Sequence, residues 1–238
     1  MTEVRRVREP QTDMEVRPET LEILLRYDTP TLSNAVEVFN CRSRDEGFTS
    51  PEIRCLFPEL GRMVGFAATA TIRARGSIPR HQDQVGMWSH VLAVSGPRVV
   101  VVQDLDDPPG CGALWGEVNA SLFKALGCCG VVTNGGVRDL ADVRRMGFHF
   151  FAQAVCVSHA YVSIESVGVD VEVGGLKIRP GDLIHADEHG VLLIPRQIAN
   201  DLPTAADAII EREQRLIRWL RSDDFSPDRL AEMKGVSH

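Results

Sequence analysis

The chain has 238 residues, with 26 Lys and Arg against 33 Asp and Glu, so its net charge is −7. This acidic balance excludes a generally basic nucleic-acid-binding protein, and 44% hydrophobic residues are enough for a sizeable core. The apolar runs are far shorter than the roughly 20 residues of a membrane-spanning helix, so we expect no membrane partner. We expect a flexible N-terminal extension over residues 1–17, one α/β domain over residues 18–222 and a C-terminal tail over residues 223–238.

The first elements are helical. A helix beginning at Pro18 is expected to end near Tyr27, because leucines recur at helical spacing up to Asp28-Thr29-Pro30. A second helix is expected after Thr31. Residues 41–61 contain Gly, Pro and scattered charges, and this composition predicts a long irregular loop.

The middle of the chain predicts alternating strands and helices. Buried strands are expected at residues 64–72, 99–102, 130–133 and 150–155, with helices at 117–126 and 140–146. The order strand, helix, strand indicates parallel βαβ units. Beyond them, strand-like pieces at 169–173, 176–178, 183–186 and 191–194 predict an antiparallel second layer, and residues 196–221 predict a C-terminal helix.

Two loops are expected to face one crevice, because both follow neighbouring buried strands, at residues 113–119 and 134–139. In the first, a glycine precedes a helix, whose free N–H groups and dipole favour an anion. The candidate carboxylate cradle is Gly116, Glu117, Val118 and Asn119. The alternative interpretation is an ordinary capped helix.

The second loop carries Arg138 and Asp139 directly after a Gly-Gly turn. The guanidinium can hold a carboxylate through two parallel hydrogen bonds, and Asp139 can offer a hard oxygen ligand to Mg²⁺. The alternative is that Asp139 caps the following helix and Arg138 forms a surface ion pair.

Gly116, followed 22 positions later by Arg138 and then by Asp139, resembles the Gly-x(21)-Arg-Asp signature of RraA-like proteins. Residues 174–182 and 187–191 also resemble conserved stretches of that family, and the likeness covers about residues 21–221. The family includes regulators of RNase E activity and class II aldolases that cleave 4-hydroxy-4-methyl-2-oxoglutarate or 4-carboxy-4-hydroxy-2-oxoadipate.

This resemblance implies a fold and a site. The fold would be the β/β/α swivelling-domain type, with layered sheets and flanking helices, assembled as a homotrimer or homohexamer. Backbone amides of residues 116–119 and Arg138 would bind a pyruvyl group, Asp139 would ligate Mg²⁺ or Mn²⁺, and Glu117 would hold metal-bound water. The aldolases usually have Asp at that last position, so Glu117 is a departure. Glu211 or Glu213 would complete a neighbouring subunit's site.

The implied function is that of a divalent-metal-dependent lyase that cleaves a 4-hydroxy-2-oxo acid to pyruvate, with oxaloacetate decarboxylation as a side reaction. Separately, residues 1–17 alternate charges and lack the apolar segment of a secretory signal, so we expect a cytoplasmic protein. A Schiff-base aldolase is disfavoured, because that mechanism needs a lysine in the site. The chain has three lysines, which fall in a predicted helix, a predicted hairpin and the predicted tail: Lys124, Lys177 and Lys234. The alternative is a non-catalytic regulator that binds an RNA-processing enzyme.

Other reactive residue types favour structural roles. His185, Asp187 and His189 straddle a predicted turn without the helical spacing of a metal site. The irregularly spaced cysteines, including Cys128 and Cys129, are expected to be reduced thiols. The arginines of the C-terminal helix are interleaved with acids and aliphatic residues, which indicates a solvated or subunit-facing helix. The sequence leaves the roles of His81 and His90 open.

Overall fold

The computed structural model of the protein describes residues 15–76 and 84–233, so most of the expected N-terminal extension, His81 and Lys234 lie outside the described residues. The strands are β1 (Arg54–Cys55), β2 (Met63–Arg73), β3 (Arg98–Asp104), β4 (Ala113–Trp115), β5 (Cys128–Val137), β6 (His149–Val155), β7 (Ser163–Val167), β8 (Val171–Val173), β9 (Leu176–Ile178), β10 (Leu183–Asp187) and β11 (Gly190–Ile194). The helices are α1 (Pro18–Leu24), α2 (Thr29–Glu37), α3 (Gln84–Ala93), α4 (Glu117–Ala125), α5 (Leu140–Met146), α6 (Leu202–Leu220) and α7 (Pro227–Met233).

A mixed sheet forms the centre, in the order β1-β6-β5-β3-β2-β10-β11, with β4 beside β5 and β7 beside β2. Strands β2, β3, β5 and β6 are mutually parallel, and α3, α4 and α5 occur in the connections between them. The predicted βαβ units are therefore present. The parallel strands of these units have continuous apolar sequences because both faces of the sheet are covered.

The two faces of the sheet pack against different layers. Val100 and Val102 belong to the larger apolar cluster, which the helices cover, whereas Val99 and Val101 belong to a second cluster with the β8-β9 hairpin. This alternation along β3 follows from the two-residue repeat of a strand. The order of layers is hairpin, sheet, helices, and the predicted layered α/β fold with flanking helices is confirmed.

The predicted antiparallel second layer is partly wrong. The β8-β9 hairpin does form a separate two-stranded sheet, but β10 and β11 join the edge of the main sheet, with Leu183 of β10 paired to Phe66 of β2. The side chains on both faces of β10 are buried. A strand that is buried on both faces is stabilised better inside the main sheet than in an outer layer.

Several element boundaries also differ from the predictions. Helix α2 begins at Thr29, because the Asp28 side chain accepts a hydrogen bond from Thr31 N and Pro30 fits its first turn. The expected loop 113–119 contains β4 and the start of α4, and β5 continues through the Gly-Gly pair to Val137. The C-terminal helix begins at Leu202, after a short 3₁₀ turn at Arg196–Ile198. The sequence did not predict α3, β4 or β7.

The second half of α6 leaves the domain. Its buried residues are Leu202, Ala206 and Ile209, and no residue between Ile210 and Leu220 is buried. Helix α7 follows inside the segment that we expected to be a tail, and Trp219 packs edge-on against Phe225, with ring centroids 5.5 Å apart. Among the described residues, no helix combines the length and apolar character that crossing a membrane requires.

Candidate active site

The two predicted loops meet at the carboxyl ends of the parallel strands. Strand β4 pairs with the end of β5, where Ala113 lies opposite Gly136 and Trp115 opposite Val137. Arg138 N donates to Trp115 O at 2.9 Å, which extends this pairing by one residue. Helix α4 therefore starts immediately beside the Arg138-Asp139 pair.

Gly116 and Asp139 are in direct contact. A Cβ atom added to Gly116 would come closer than 3.0 Å to Asp139 Oδ2 and lie 3.2 Å from Arg138 Nε. The backbone of Gly116 is extended, with φ −151°, so glycine is required here by the close approach and not by its own conformation. The same Asp139 Oδ2 accepts a hydrogen bond from Glu117 N at 3.0 Å.

The backbone of Asp139 explains where its carboxylate lies. Asp139 adopts left-handed dihedral angles, φ 56° and ψ 40°, which are uncommon for a residue other than glycine. Its side chain makes no cap to α5 and instead contacts the N-terminus of α4. The alternative interpretation, in which this carboxylate caps the helix that follows it, is therefore wrong. Residues held in sparsely populated backbone conformations cluster at active sites and ligand-binding sites.

Arg138 lies next to this carboxylate and is itself partly exposed. Arg138 Nε is 3.7 Å from Asp139 Oδ2, and the side chains are 36% and 40% exposed. An ion pair this long and this open contributes little to stability. The guanidinium therefore remains partly accessible to solvent, without a close ion-pair partner among the described residues.

The start of α4 provides the predicted N–H donors. The first bond within the helix runs from Ala120 N to Gly116 O, so the N–H groups of Val118 and Asn119 have no partner within the helix. The Asn119 side chain is occupied, because its Nδ2 donates to Leu114 O at 2.6 Å and ties α4 to β4. The predicted site residues Gly116, Glu117, Val118, Asn119, Arg138 and Asp139 are thus brought together at one edge of the sheet.

The donor set fits a magnesium-like ion. Among residues 15–76 and 84–233 there is no group of three or more His, Cys, Asp and Glu side chains that could hold a metal. Mg²⁺ does not need one, because it is commonly bound by one or two carboxylates together with waters and substrate oxygens. Asp139 is partly exposed, and within the described part of the chain its Oδ1 accepts no hydrogen bond. A metal held mainly by Asp139 is compatible with this arrangement.

Two residues near the site were not predicted. Cys156 N donates to Val137 O, and the Cys156 sulfur packs against Gly136, two residues before Arg138. Burial raises the pKa of the Cys156 thiol, and the nearby Arg138 charge partly opposes that rise. Buried Asp104 accepts hydrogen bonds from Asp106 N and Gly110 N and so fixes the loop that precedes β4. Neither residue stands in a recognisable motif, so only the tertiary fold reveals their position.

Of the other candidate residues, the two described lysines, Lys124 and Lys177, give no support to Schiff-base chemistry. Lys124 Nζ donates to Met146 O at the far end of α4, and Lys177 lies on β9, on the opposite face of the sheet from the helices. Both positions are away from Arg138.

His185 and Asp187 have internal partners. Asp187 accepts hydrogen bonds from Thr29 N and from His189, and His185 Nδ1 lies 2.9 Å from Thr29 Oγ1. These contacts anchor the start of α2 against β10. Burial lowers the pKa of His185 to about 4, so this side chain is neutral at pH 7.

Cys128 and Cys129 are free thiols inside the fold. Burial raises the pKa of each to about 12. Such thiols are protonated at neutral pH and unreactive, which agrees with a structural role.

Glu211 and Glu213 lie on the exposed half of α6, and Glu211 pairs with Arg215 at 2.9 Å. Whether either acid belongs to a neighbouring subunit's site remains a prediction.

Comparison with known proteins defines the class. The family model RraA-like (Aldolase/RraA) matches residues 29–193, and the chain therefore belongs to the RraA-like family. The match includes residues 116–119, Arg138 and Asp139, but not Glu211 or Glu213.

The relatives are distant. The chain is 33% identical over 115 residues to a protein of Halalkalibacterium halodurans that carries the name "Putative 4-hydroxy-4-methyl-2-oxoglutarate aldolase", a match over 48% of this chain and 54% of that protein. The chain thus spans about half the length of the curated relatives it matches.

Two solved structures share the fold. An uncharacterized protein from Pseudomonas syringae pv. tomato is similar with a TM-score of 0.73 at 24% identity, over 96% of this chain and 99% of that one. Streptomyces coelicolor RraAS2, described as an unusual member of the RNase ES inhibitor RraA family, gives 0.65 at 22%, over 87% of this chain and 98% of that one. At these identities the likeness concerns the fold alone.

Proposed function

We propose that the protein is a divalent-metal-dependent lyase that cleaves a 4-hydroxy-2-oxo acid, such as 4-hydroxy-4-methyl-2-oxoglutarate, and releases pyruvate. Oxaloacetate decarboxylation is proposed as a side reaction. The observation that carries this proposal is the position of the Asp139 carboxylate, which is turned away from its own helix, contacts Glu117 N and lies beside Arg138. A protein that only binds a partner has no need for a metal ligand beside an anion cradle.

Substrate binding would use the two anion-binding features. Arg138 would hold the pyruvyl carboxylate by two parallel hydrogen bonds, which the planar guanidinium makes better than an ammonium group does. The N–H groups of Val118 and Asn119 and the positive end of the α4 dipole would bind the oxygens of the same carboxylate. These contacts would fix the 2-oxo group near Asp139.

Asp139 would hold Mg²⁺ or Mn²⁺ together with oxygens of the substrate. Such an ion supplies Lewis-acid stabilisation of the negative charge that develops on the 2-oxo oxygen when the carbon–carbon bond breaks. Arg138 would keep the adjacent carboxylate neutralised during that step. Glu117 N–H, donating to Asp139 Oδ2 at 3.0 Å, would keep the carboxylate aimed at the crevice.

Glu117 is proposed as the group that moves protons. It is exposed in the first turn of α4, and its backbone contacts Asp139. Through a water molecule its carboxylate would accept the proton of the 4-hydroxyl group as the bond between C3 and C4 breaks. It would then return a proton to C3, which becomes the methyl group of pyruvate. The longer reach of Glu compared with Asp suits transfer through water.

A homo-oligomer is part of the proposal. From Ile210 onward α6 buries no residue in its own domain, although it carries Leu216, Ile217 and Leu220. Helices with an uncovered apolar side are stabilised by a partner. We propose a homotrimer or homohexamer in which α6 brings Glu211 or Glu213 to a neighbouring site. Light scattering after size-exclusion chromatography tests this, and a fully active monomer contradicts it.

The activity is tested by coupling pyruvate release to lactate dehydrogenase. The substrate panel contains 4-hydroxy-2-oxo acids and oxaloacetate, with Mg²⁺, with Mn²⁺ and with EDTA. We expect pyruvate from at least one 4-hydroxy-2-oxo acid, lost in EDTA and restored by excess metal. If no member of the panel yields pyruvate, the proposal is wrong, and the non-catalytic regulator becomes the better hypothesis.

A further inference from the structure

Two cysteines that no motif singles out lie on neighbouring pieces of backbone beside the site. Residues 110–113 run along residues 154–158: a Cβ on Gly110 would be 3.1 Å from the Ala154 Cβ, and Ala113 N donates to Ser158 O at 2.9 Å. Cys111 and Cys156 lie between these two points of contact. Cys156 Sγ and Gly110 O also lie beside the same point of β5, 2.6 Å and 3.2 Å from a Cβ added to Gly136, so the Cys156 sulfur is close to the backbone directly before Cys111.

A disulfide bond requires a Cα separation of about 4.4–6.8 Å, which residues on backbone segments in direct contact can reach. Cys111 is exposed and Cys156 is partly exposed, so an oxidant can reach the pair. Burial raises the pKa of Cys156, and negative charge on the nearby Cys111 raises that pKa further. Both thiols are free in the described structure.

We propose that Cys111 and Cys156 form a reversible disulfide bond that lowers the activity of the neighbouring site. Nothing in the RraA-like motif includes either residue. Exposed disulfide bonds are commonly labile and regulatory. The effect on activity rests on the proposed lyase function, whereas formation of the bond does not.

The chemistry is thiol–disulfide exchange with a low-molecular-weight disulfide such as oxidised glutathione. The thiolate of exposed Cys111 attacks one sulfur of the oxidant, and the other sulfur leaves as a thiolate that takes up a proton. Cys156 then attacks the Cys111 sulfur of the mixed disulfide and releases the second glutathione. Overall, two protein thiols are oxidised to one disulfide, and one glutathione disulfide is reduced to two glutathione molecules.

The position of Cys156 links this bond to Arg138. The Cys156 sulfur packs on Gly136, and Cys156 N donates to Val137 O at 3.0 Å, directly before Arg138. Drawing the sulfur toward Cys111 removes its contact with Gly136 and shifts the end of β5. Because a displacement of about 1 Å can reduce catalysis by about 100-fold, a smaller shift of Arg138 is expected to lower kcat/KM by at least about tenfold.

The experiment treats the full chain with oxidised glutathione and measures intact mass, linked peptides and pyruvate release. Cys111→Ser and Cys156→Ser each remove one partner, and Cys41→Ser is the matched control, because Cys41 is also exposed but belongs to another loop. We expect the wild type and Cys41→Ser to lose two hydrogen atoms and to yield a linked Cys111-Cys156 peptide. Activity should fall at least about tenfold and return with dithiothreitol, whereas Cys111→Ser keeps its activity after treatment.

The outcomes separate the two proposals. Glutathione adducts without the linked peptide, or a link between other cysteines, overturn the disulfide. A linked peptide with unchanged pyruvate release overturns its control of the site. If the reduced protein releases no pyruvate from any substrate, the lyase proposal fails while the peptide map still decides whether the bond forms.

Discussion

Replacing Gly116 by alanine is expected to disable the site and leave the fold intact. The new Cβ would come closer than 3.0 Å to Asp139 Oδ2, where ordinary contact begins at 3.4 Å, and would lie 3.2 Å from Arg138 Cγ and Nε. The Asp139 carboxylate must therefore withdraw by on the order of 1 Å, which is a displacement that can reduce catalysis by about 100-fold. A 100-fold loss in kcat/KM corresponds to about 2.7 kcal/mol.

Stability should change far less than activity. The extended backbone of Gly116, φ −151°, suits alanine, and the carboxylate that moves is 40% exposed, so water replaces much of the lost hydrogen bond. The measurements are kcat/KM for pyruvate release with saturating Mg²⁺ and the midpoint of thermal unfolding. Gly96→Ala is the matched control, because its added Cβ would meet only the end of the Arg98 side chain, at 3.7 Å. A Gly116→Ala variant within twofold of the wild-type kcat/KM would show that the contact between Gly116 and Asp139 does not matter for turnover.

Three further changes have defined outcomes. Asp139→Asn should abolish metal-dependent pyruvate release and leave the circular dichroism spectrum unchanged, and retained activity with Mg²⁺ would show that Asp139 is not a metal ligand. Arg138→Lys keeps the charge but loses the planar fork, so kcat/KM should fall at least about tenfold, or roughly 1.4 kcal/mol, and unchanged kinetics would contradict two-point binding. His185 has a folded-state pKa of about 4 and an ordinary value of 6.5, so the free energy of unfolding should fall as the pH drops below 6.5, by about 2 kcal/mol at pH 5. Urea unfolding at pH 7 and pH 5 tests this, and an equal loss in His185→Asn would show that another group is responsible.

The sequence predicted the parallel centre well because its strands are buried on both faces. The apolar run of β3 and the exact bounds of α5, Leu140–Met146, were evident from local pattern. Strands β4 and β7 were missed, because β4 has three residues and β7 mixes polar and apolar side chains. Such segments become strands through pairing with β5 and β2, which no local window reveals.

The composition of the candidate site was predictable, but its geometry was not. Spacing and resemblance predicted that Gly116, Arg138 and Asp139 come together, and in the structure they are in contact at one edge of the sheet, while their roles remain a prediction. The sequence left open whether Asp139 caps its own helix, because capping depends on backbone dihedral angles that an Arg-Asp pair does not reveal. The contact of Cys156 with Gly136 could not be predicted either, because it depends on the register of β5 and β6.

Metal-dependent catalysis at Asp139 is tested most directly by measuring pyruvate release from 4-hydroxy-4-methyl-2-oxoglutarate by the wild type and by Asp139→Asn, each over a titration of Mg²⁺ after removal of metal by EDTA. We expect wild-type activity to be absent without metal and to rise to saturation with Mg²⁺, whereas the variant stays inactive at every concentration. Wild-type turnover that is indifferent to EDTA, or a variant that follows the wild-type titration, would contradict a metal-dependent reaction at Asp139.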